Sequence, residues 1–234
     1  MGDGRAARTW TRRGSLLAAL GGVAALTTAA ALPGDGVAAG GTTPGVKRIH
    51  LIGDSWAAGL HADPANALGQ VAAQALGWPV TVDAQSGTGY LNDAGLRTYL
   101  QRAQSSSGPD RLVILQGGSN DDDQDLSKLG AAVTSTIGAV QQGFPDAAVL
   151  MLGPGPDPAP VTARQWEVDR IIGAAAQDAG VSWVSMLRER WIPEELIDAV
   201  IDPGNHHPTV SGQQYLGLRL AAAVHLRESA VLAS

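Results

Sequence analysis

Arg48-Ile49-His50-Leu51-Ile52-Gly53-Asp54-Ser55 is the stretch on which the reading of this chain turns. A short apolar run stops abruptly in Gly-Asp-Ser, three residues that favour a turn, which reads as a strand delivered straight into a loop. The same device recurs downstream. Strands are expected at Arg48 to Ile52, Val80 to Ala84, Arg111 to Gln116, Ala148 to Leu152 and Val181 to Met186. Longer segments of helical period separate them. Between the third and fourth strands, Leu126, Leu129, Val133, Ile137 and Val140 recur at helical spacing, and Gly143 and Pro145 end the helix. Between the fourth and fifth, Thr162 and Gln165 form a capping-box pair, Val168, Ile172, Ala175 and Ala179 share a face, and Gly180 stops it. A last helix is expected from about Thr209 to Arg227, after His207-Pro208. Strands alternating with crossover helices make one doubly wound α/β domain, whose ligand site lies at the carboxyl ends of the strands.

Unusual residues gather at those ends. The first strand runs into Gly53-Asp54-Ser55, the second into Ser86-Gly87-Thr88-Gly89 and the third into Gly117-Gly118-Ser119-Asn120, while a late loop carries Asp202 and His207. One Gly-Asp-Ser is ordinary punctuation. Four such segments in this order resemble the four sequence blocks of the SGNH/GDSL hydrolase family, from Leu51 to about Gly212. The resemblance implies a three-layer, flavodoxin-like five-stranded parallel sheet with helices on both faces. It implies Ser55 as nucleophile and His207 as its base, because a serine hydroxyl attacks only when a base takes its proton. It also implies an oxyanion hole made by the Ser55 N–H, the Gly87 N–H and the Asn120 amide, with Gly89 as the alternative glycine. Such donors hold the negative oxygen of the tetrahedral intermediate, and loss of one costs on the order of a hundredfold or more.

The chain departs from the family pattern at the third catalytic position. Three residues before His207 stands Gly204, and the nearest acid is Asp202, five before it. The leading expectation is that the Pro203-Gly204 loop bulges to bring Asp202 onto the imidazole. The alternatives are that Asn205 or a backbone carbonyl orients the ring, or that His206 is the base.

Composition narrows the functional classes. The 234 residues carry a formal net charge of −6 and no cysteine, which argues against nucleic acid as a partner and removes thiolate nucleophiles, disulfides and zinc fingers. Arg5, Arg8, Arg12 and Arg13 precede an Ala/Leu-rich stretch from Leu16 to Leu32, as in a secretory signal, and Thr11 to Leu17 resembles a twin-arginine signal. The expected organisation is a signal peptide over 1–39, a linker over 40–46 and one hydrolase domain over 47–234. Cleavage after Ala39 would remove four Arg and two Asp, taking the net charge from −6 to −8. The apolar leader stretch is short and diluted by Ala and Gly, so no stable membrane span is expected after processing.

Other conspicuous residues have plainer readings. Asp121, Asp122, Asp123 and Asp125 lack the spacing of a calcium loop and read as charge at a helix start. Asp54 reads as a pin for the nucleophile turn. His50, His61 and His225 read as packing or surface residues, and Trp56, Trp166 and Trp191 as half-buried packing that could also rim a site. The prolines from Gly153 to Pro160 predict a rigid rim. The expected function is an exported serine esterase acting on a small-molecule or glycan ester, with short acyl groups and neither cofactor nor metal. Acyl transfer to a sugar hydroxyl and a non-catalytic carbohydrate-binding role are the alternatives.

Overall fold

The computed structural model describes residues 47–156 and 160–231. The expected signal peptide, the linker to residue 46 and part of the proline-rich rim lie outside the described residues.

All five expected strands form, as β1 (Ile49–Gly53), β2 (Val80–Ala84), β3 (Leu112–Gln116), β4 (Ala148–Leu152) and β5 (Ser182–Val184). They pair in parallel in the order β2-β1-β3-β4-β5. The last strand is shorter than its apolar run. Ser185 turns its hydroxyl onto Asp169 at 2.8 Å and accepts the Arg188 N–H at 2.9 Å, which bends the chain out of the sheet.

The helices are α1 (Leu68–Leu76), α2 (Tyr99–Gln104), α3 (Leu129–Gly143), α4 (Ala163–Asp178), α5 (Ile197–Val200) and α6 (Val210–Val231). The expected capping box is present at α4, where Thr162 accepts the Gln165 N–H and Gln165 reaches back. A second, between Thr98 and Gln101, starts α2. The helix expected from Leu126 opens with a 3-10 turn over Leu126–Lys128, capped by Asp125, before α3 proper.

Alternation along the strands sorts the core into two layers. Ile49 and Leu51 of β1, with Leu112 and Ile114 of β3, pack under α1 and α6. Ile52, Val113 and Leu115 pack on the opposite face with α3 and α4. Strands covered on both faces need no polar side, which is why they read as continuous apolar runs. Because β1 lies between β2 and β3, the connections leave it in opposite directions and open a crevice at the carboxyl ends of β1 and β3.

The last helix is tied to that crevice by one side chain. Gln213, fully buried on α6, accepts the Leu68 N–H at 2.8 Å and donates to the Trp56 carbonyl at 3.0 Å. Among the described residues no helix is long and apolar enough to cross a membrane.

Candidate active site

β1 ends at Gly53 and the chain coils back at once. The Ala58 N–H meets the Asp54 carbonyl and the Leu60 N–H meets the Ser55 carbonyl, each at 3.0 Å. Asp54 Oδ1 accepts the Trp56 N–H at 2.9 Å, so Asp54 pins the turn as its sequence position suggests. Ser55 rides on this turn, 7% exposed.

Asp54 is buried, and burial pushes its pKa up to about 6, although the Trp56 N–H, Gln116 and the nearby Arg102 cation hold it down. A carboxyl group whose pKa is raised by folding binds its proton more tightly in the native state, so its stabilising contribution is full below the ordinary value of 3.8 and is lost as pH rises through about 6. That difference is on the order of 3 kcal/mol. Asp54→Asn keeps an acceptor for the Trp56 N–H and cannot ionise. Urea unfolding should therefore show the variant more stable than the parent at pH 8, with the gap closing towards pH 4. A gap independent of pH would remove the buried charge as its cause.

The histidine expected as base comes from a distant part of the chain. His207 Nε2 lies 2.9 Å from Ser55 Oγ. Its Nδ1 lies 2.5 Å from the backbone carbonyl of Asn205, an acceptor only. The ring proton therefore sits on Nδ1, and Nε2 is left as the acceptor for the serine hydroxyl.

Asp202 does not take the expected place behind the imidazole. The strand pair β6 (Ile201–Asp202) and β7 (His207–Pro208) sets Asp202 opposite His207, with residues 203–206 as a tight loop. The His206 N–H returns to the Asp202 carbonyl at 2.8 Å and His206 takes a left-handed φ of 63°. The Asp202 carboxylate turns inside that loop, accepting the Gly204 N–H at 2.8 Å and the Asn205 amide at 3.0 Å. Asn205 Oδ1 in turn accepts the His207 N–H at 3.0 Å. The two residues beyond the family spacing are thus spent on a turn that aims a carbonyl, not a carboxylate, at the ring. Asp202→Asn sets two amide donors against each other in the loop, a loss of about 1 kcal/mol, so kcat should fall by about tenfold or less. Where the acid itself holds the imidazole, the same exchange costs on the order of ten-thousandfold. A loss of that size in steady-state kinetics would return Asp202 to the ring.

Asn120 follows β3 through Gly117 and Gly118, whose φ values of 143° and 121° are open to glycine. Its Nδ2 donates one hydrogen to the Thr88 carbonyl at 2.9 Å, which leaves the second for a ligand. Gly87 lies in the loop after β2 at φ 79°, beside Ala94. The alternative glycine, Gly89, gives its N–H to the Asn92 carbonyl at 2.7 Å, so that N–H is already engaged.

Asp121 corrects the reading of the acidic run. It is fully buried and accepts the N–H groups of Tyr90, Leu91 and Asn92 at 2.9, 2.8 and 3.1 Å, sewing the loop after β2 to the loop after β3. Burial raises its pKa while those three bonds oppose the rise. Asp125 caps the helical turn that follows.

These segments enclose a cleft of about 220 Å³ whose wall includes Ser55, Trp56, Asn120, Gly155, His206 and His207. Trp56 packs so close to Gly155 that any Cβ there would run into the indole. His61, read as packing or surface, instead sets its ring edge-on to His207 at 5.2 Å between centroids, held by a left-handed φ of 62°. Trp191 is buried at 2% exposure, and Trp166 rims a separate, mostly apolar cavity of about 480 Å³ with Met186, Leu187 and Ile192.

The model of the GDSL-like lipase/acylhydrolase family matches residues 51–215, from the middle of β1 into α6. The chain belongs to that family. A GDSL lipase of Mycobacterium tuberculosis is 26% identical over 152 residues, covering 63% of this chain and 64% of the relative, so the chain spans under two thirds of that protein. Among solved structures, a carbohydrate acetylesterase from Sinorhizobium meliloti superposes with a TM-score of 0.60 at 21% identity, covering 77% of this chain and 99% of the other. An aryl esterase of M. smegmatis gives a TM-score of 0.60, also at 21% identity and with the same coverages. A family two carbohydrate esterase from Clostridium thermocellum, in complex with cellohexaose, gives 0.62 at 17% identity, covering 78% of this chain and 65% of that one. These likenesses establish the fold for this GDSL-like chain.

Proposed function

We propose that the protein is an exported serine ester hydrolase working through an acyl-enzyme on Ser55. The observation that carries the reading is the 2.9 Å contact between Ser55 Oγ and His207 Nε2, with the Nδ1 proton engaged by a carbonyl. His207 takes the hydroxyl proton as Oγ attacks the ester carbonyl. The oxygen that becomes negative is held by the N–H groups of Ser55 and Gly87 and by the free hydrogen of the Asn120 amide. Collapse returns the proton from His207 to the departing alkoxide, and a water activated by the same ring then releases the acid and restores Ser55.

The cleft of about 220 Å³ suits a small acyl group. Two of the structural neighbours are a carbohydrate acetylesterase and a carbohydrate esterase bound to cellohexaose, which favours acetyl esters of glycans as the substrate class. The basic, Ala-rich leader supports export.

The test is hydrolysis of p-nitrophenyl acetate, butyrate and octanoate, together with acetate release from acetylated xylan or cellulose acetate. Turnover that is highest for acetate is expected. Absence of hydrolysis across the panel would overturn the reading in favour of binding alone.

A further inference from the structure

The sequence gives no reason for a buried arginine on α2, yet Arg102 has no exposed surface. Its guanidinium joins two strand-end carbonyls and one buried hydroxyl. Nη1 donates to the Asp83 carbonyl at the end of β2 at 2.5 Å. Nη2 donates to the Gly53 carbonyl at the end of β1 at 3.0 Å and to Thr88 Oγ1 in the loop after β2 at 3.1 Å. The guanidinium also lies 4.7 Å over the Tyr99 ring, whose hydroxyl donates to the Gln116 carbonyl at the end of β3 at 2.6 Å. Its nearest acid, Asp83, is only 3.4 Å away at one oxygen and lies partly in solvent. A buried cation set mainly against carbonyls is expensive to desolvate, and such a group persists where its geometry is needed.

Thr88 is where that geometry reaches the chemistry. It too is fully buried. Its hydroxyl accepts from Arg102 and donates to the Gln85 carbonyl at 2.7 Å, which uses its one proton and one lone pair. Its own carbonyl accepts the Asn120 amide at 2.9 Å. From Gly53, the residue before Asp54 and Ser55, there is thus a continuous path through Arg102 and Thr88 to Asn120. We propose that Arg102 and Thr88 are positioning residues of the oxyanion hole, acting together to fix the Asn120 amide relative to the Ser55 turn. A donor aimed by its own side chain alone would swing with the loop. Here the second hydrogen of Nδ2 is aimed because the first is held by a carbonyl that Arg102 fixes against the nucleophile's strand.

This inference rests on the oxyanion role given to Asn120, and a double-mutant cycle separates the two. The parent and Ser55→Ala, assayed first, test the hydrolase reading by itself. Thr88→Val keeps the shape and removes the hydroxyl, and kcat should fall about tenfold with KM within about twofold, since the ground state does not use the oxyanion contact. Thr88→Ser restores the hydroxyl and should recover most of kcat. In an Asn120→Ala background the same Thr88→Val change should cost less than about twofold, because the amide it aims is gone. An equal cost of Thr88→Val in both backgrounds, or a loss that Thr88→Ser fails to recover, would overturn the proposal. If the valine disturbs folding in a thermal melt, Thr88→Ala carries the same cycle and the same two criteria apply.

Discussion

Ser55→Ala is expected to lower ester hydrolysis by about ten-thousandfold or more while leaving the fold in place. The size of the loss follows from the site having one nucleophile: without Oγ, His207 has no hydroxyl to activate and only the oxyanion donors remain to assist water. The survival of the fold follows from the division of labour in the turn. A serine after a strand often caps the next turn, but here Asp54 Oδ1 holds the Trp56 N–H, and the Ser55 hydroxyl faces His207. The thermal midpoint should accordingly move by no more than a few degrees, the scale of about 1 kcal/mol in a domain of this size. Equal rates for the variant and the parent on p-nitrophenyl acetate would remove Ser55 from the mechanism. A variant that melted far below the parent would mean that the hydroxyl carries structure as well.

The second large effect is expected at Asn120. Removing its side chain with Asn120→Ala should cost on the order of a hundredfold in kcat with KM little changed, because its free amide hydrogen meets negative charge only as the tetrahedral intermediate forms. The backbone there stays anchored, since the Asn120 carbonyl accepts the Asn92 amide at 3.0 Å and the adjacent Asp121 holds three N–H groups of the facing loop. Affinity for an alkylboronate, which forms a tetrahedral adduct on a reactive serine, should weaken in parallel with kcat. A rise in KM with kcat preserved would instead make Asn120 a substrate-binding residue.

β1, β3 and β4 were legible because each is a short apolar run buried on both faces, while the edge strands β2 and β5 were legible from their β-branched and aromatic residues and the turn residues that bound them. Ser55, Asn120 and His207 stood out because the first two lie in turns beyond strand ends and the third just ahead of the last helix, where local composition changes sharply. Asp202 was misread for a physical reason: spacing counts residues but not how a loop spends them, and Asn205, which supplies the carbonyl, does so through backbone that any residue carries. Asp121 and Arg102 were harder still. Their partners lie about 30 and up to 49 residues away, respectively, and a carboxylate sewn to backbone leaves no complementary side chain to find. The one available hint for Asp121 is an acid placed directly after the strand-end Asn120, where a solvent-facing helix start would not need it. His61 met His207 only because the nucleophile turn coils back on itself, which a linear reading does not show.

The contact between Ser55 and His207 spans 152 residues of chain, and the histidine stands just ahead of α6, whose Gln213 grips the backbone of the nucleophile turn. Contacts of such long sequence separation form late, since loop closure must precede them. On the proposed mechanism, a nascent or unfolded chain would hold a nucleophile with no base and would cleave no ester until its final helix had docked. Recovery of activity during refolding would consequently time the closing of the whole domain.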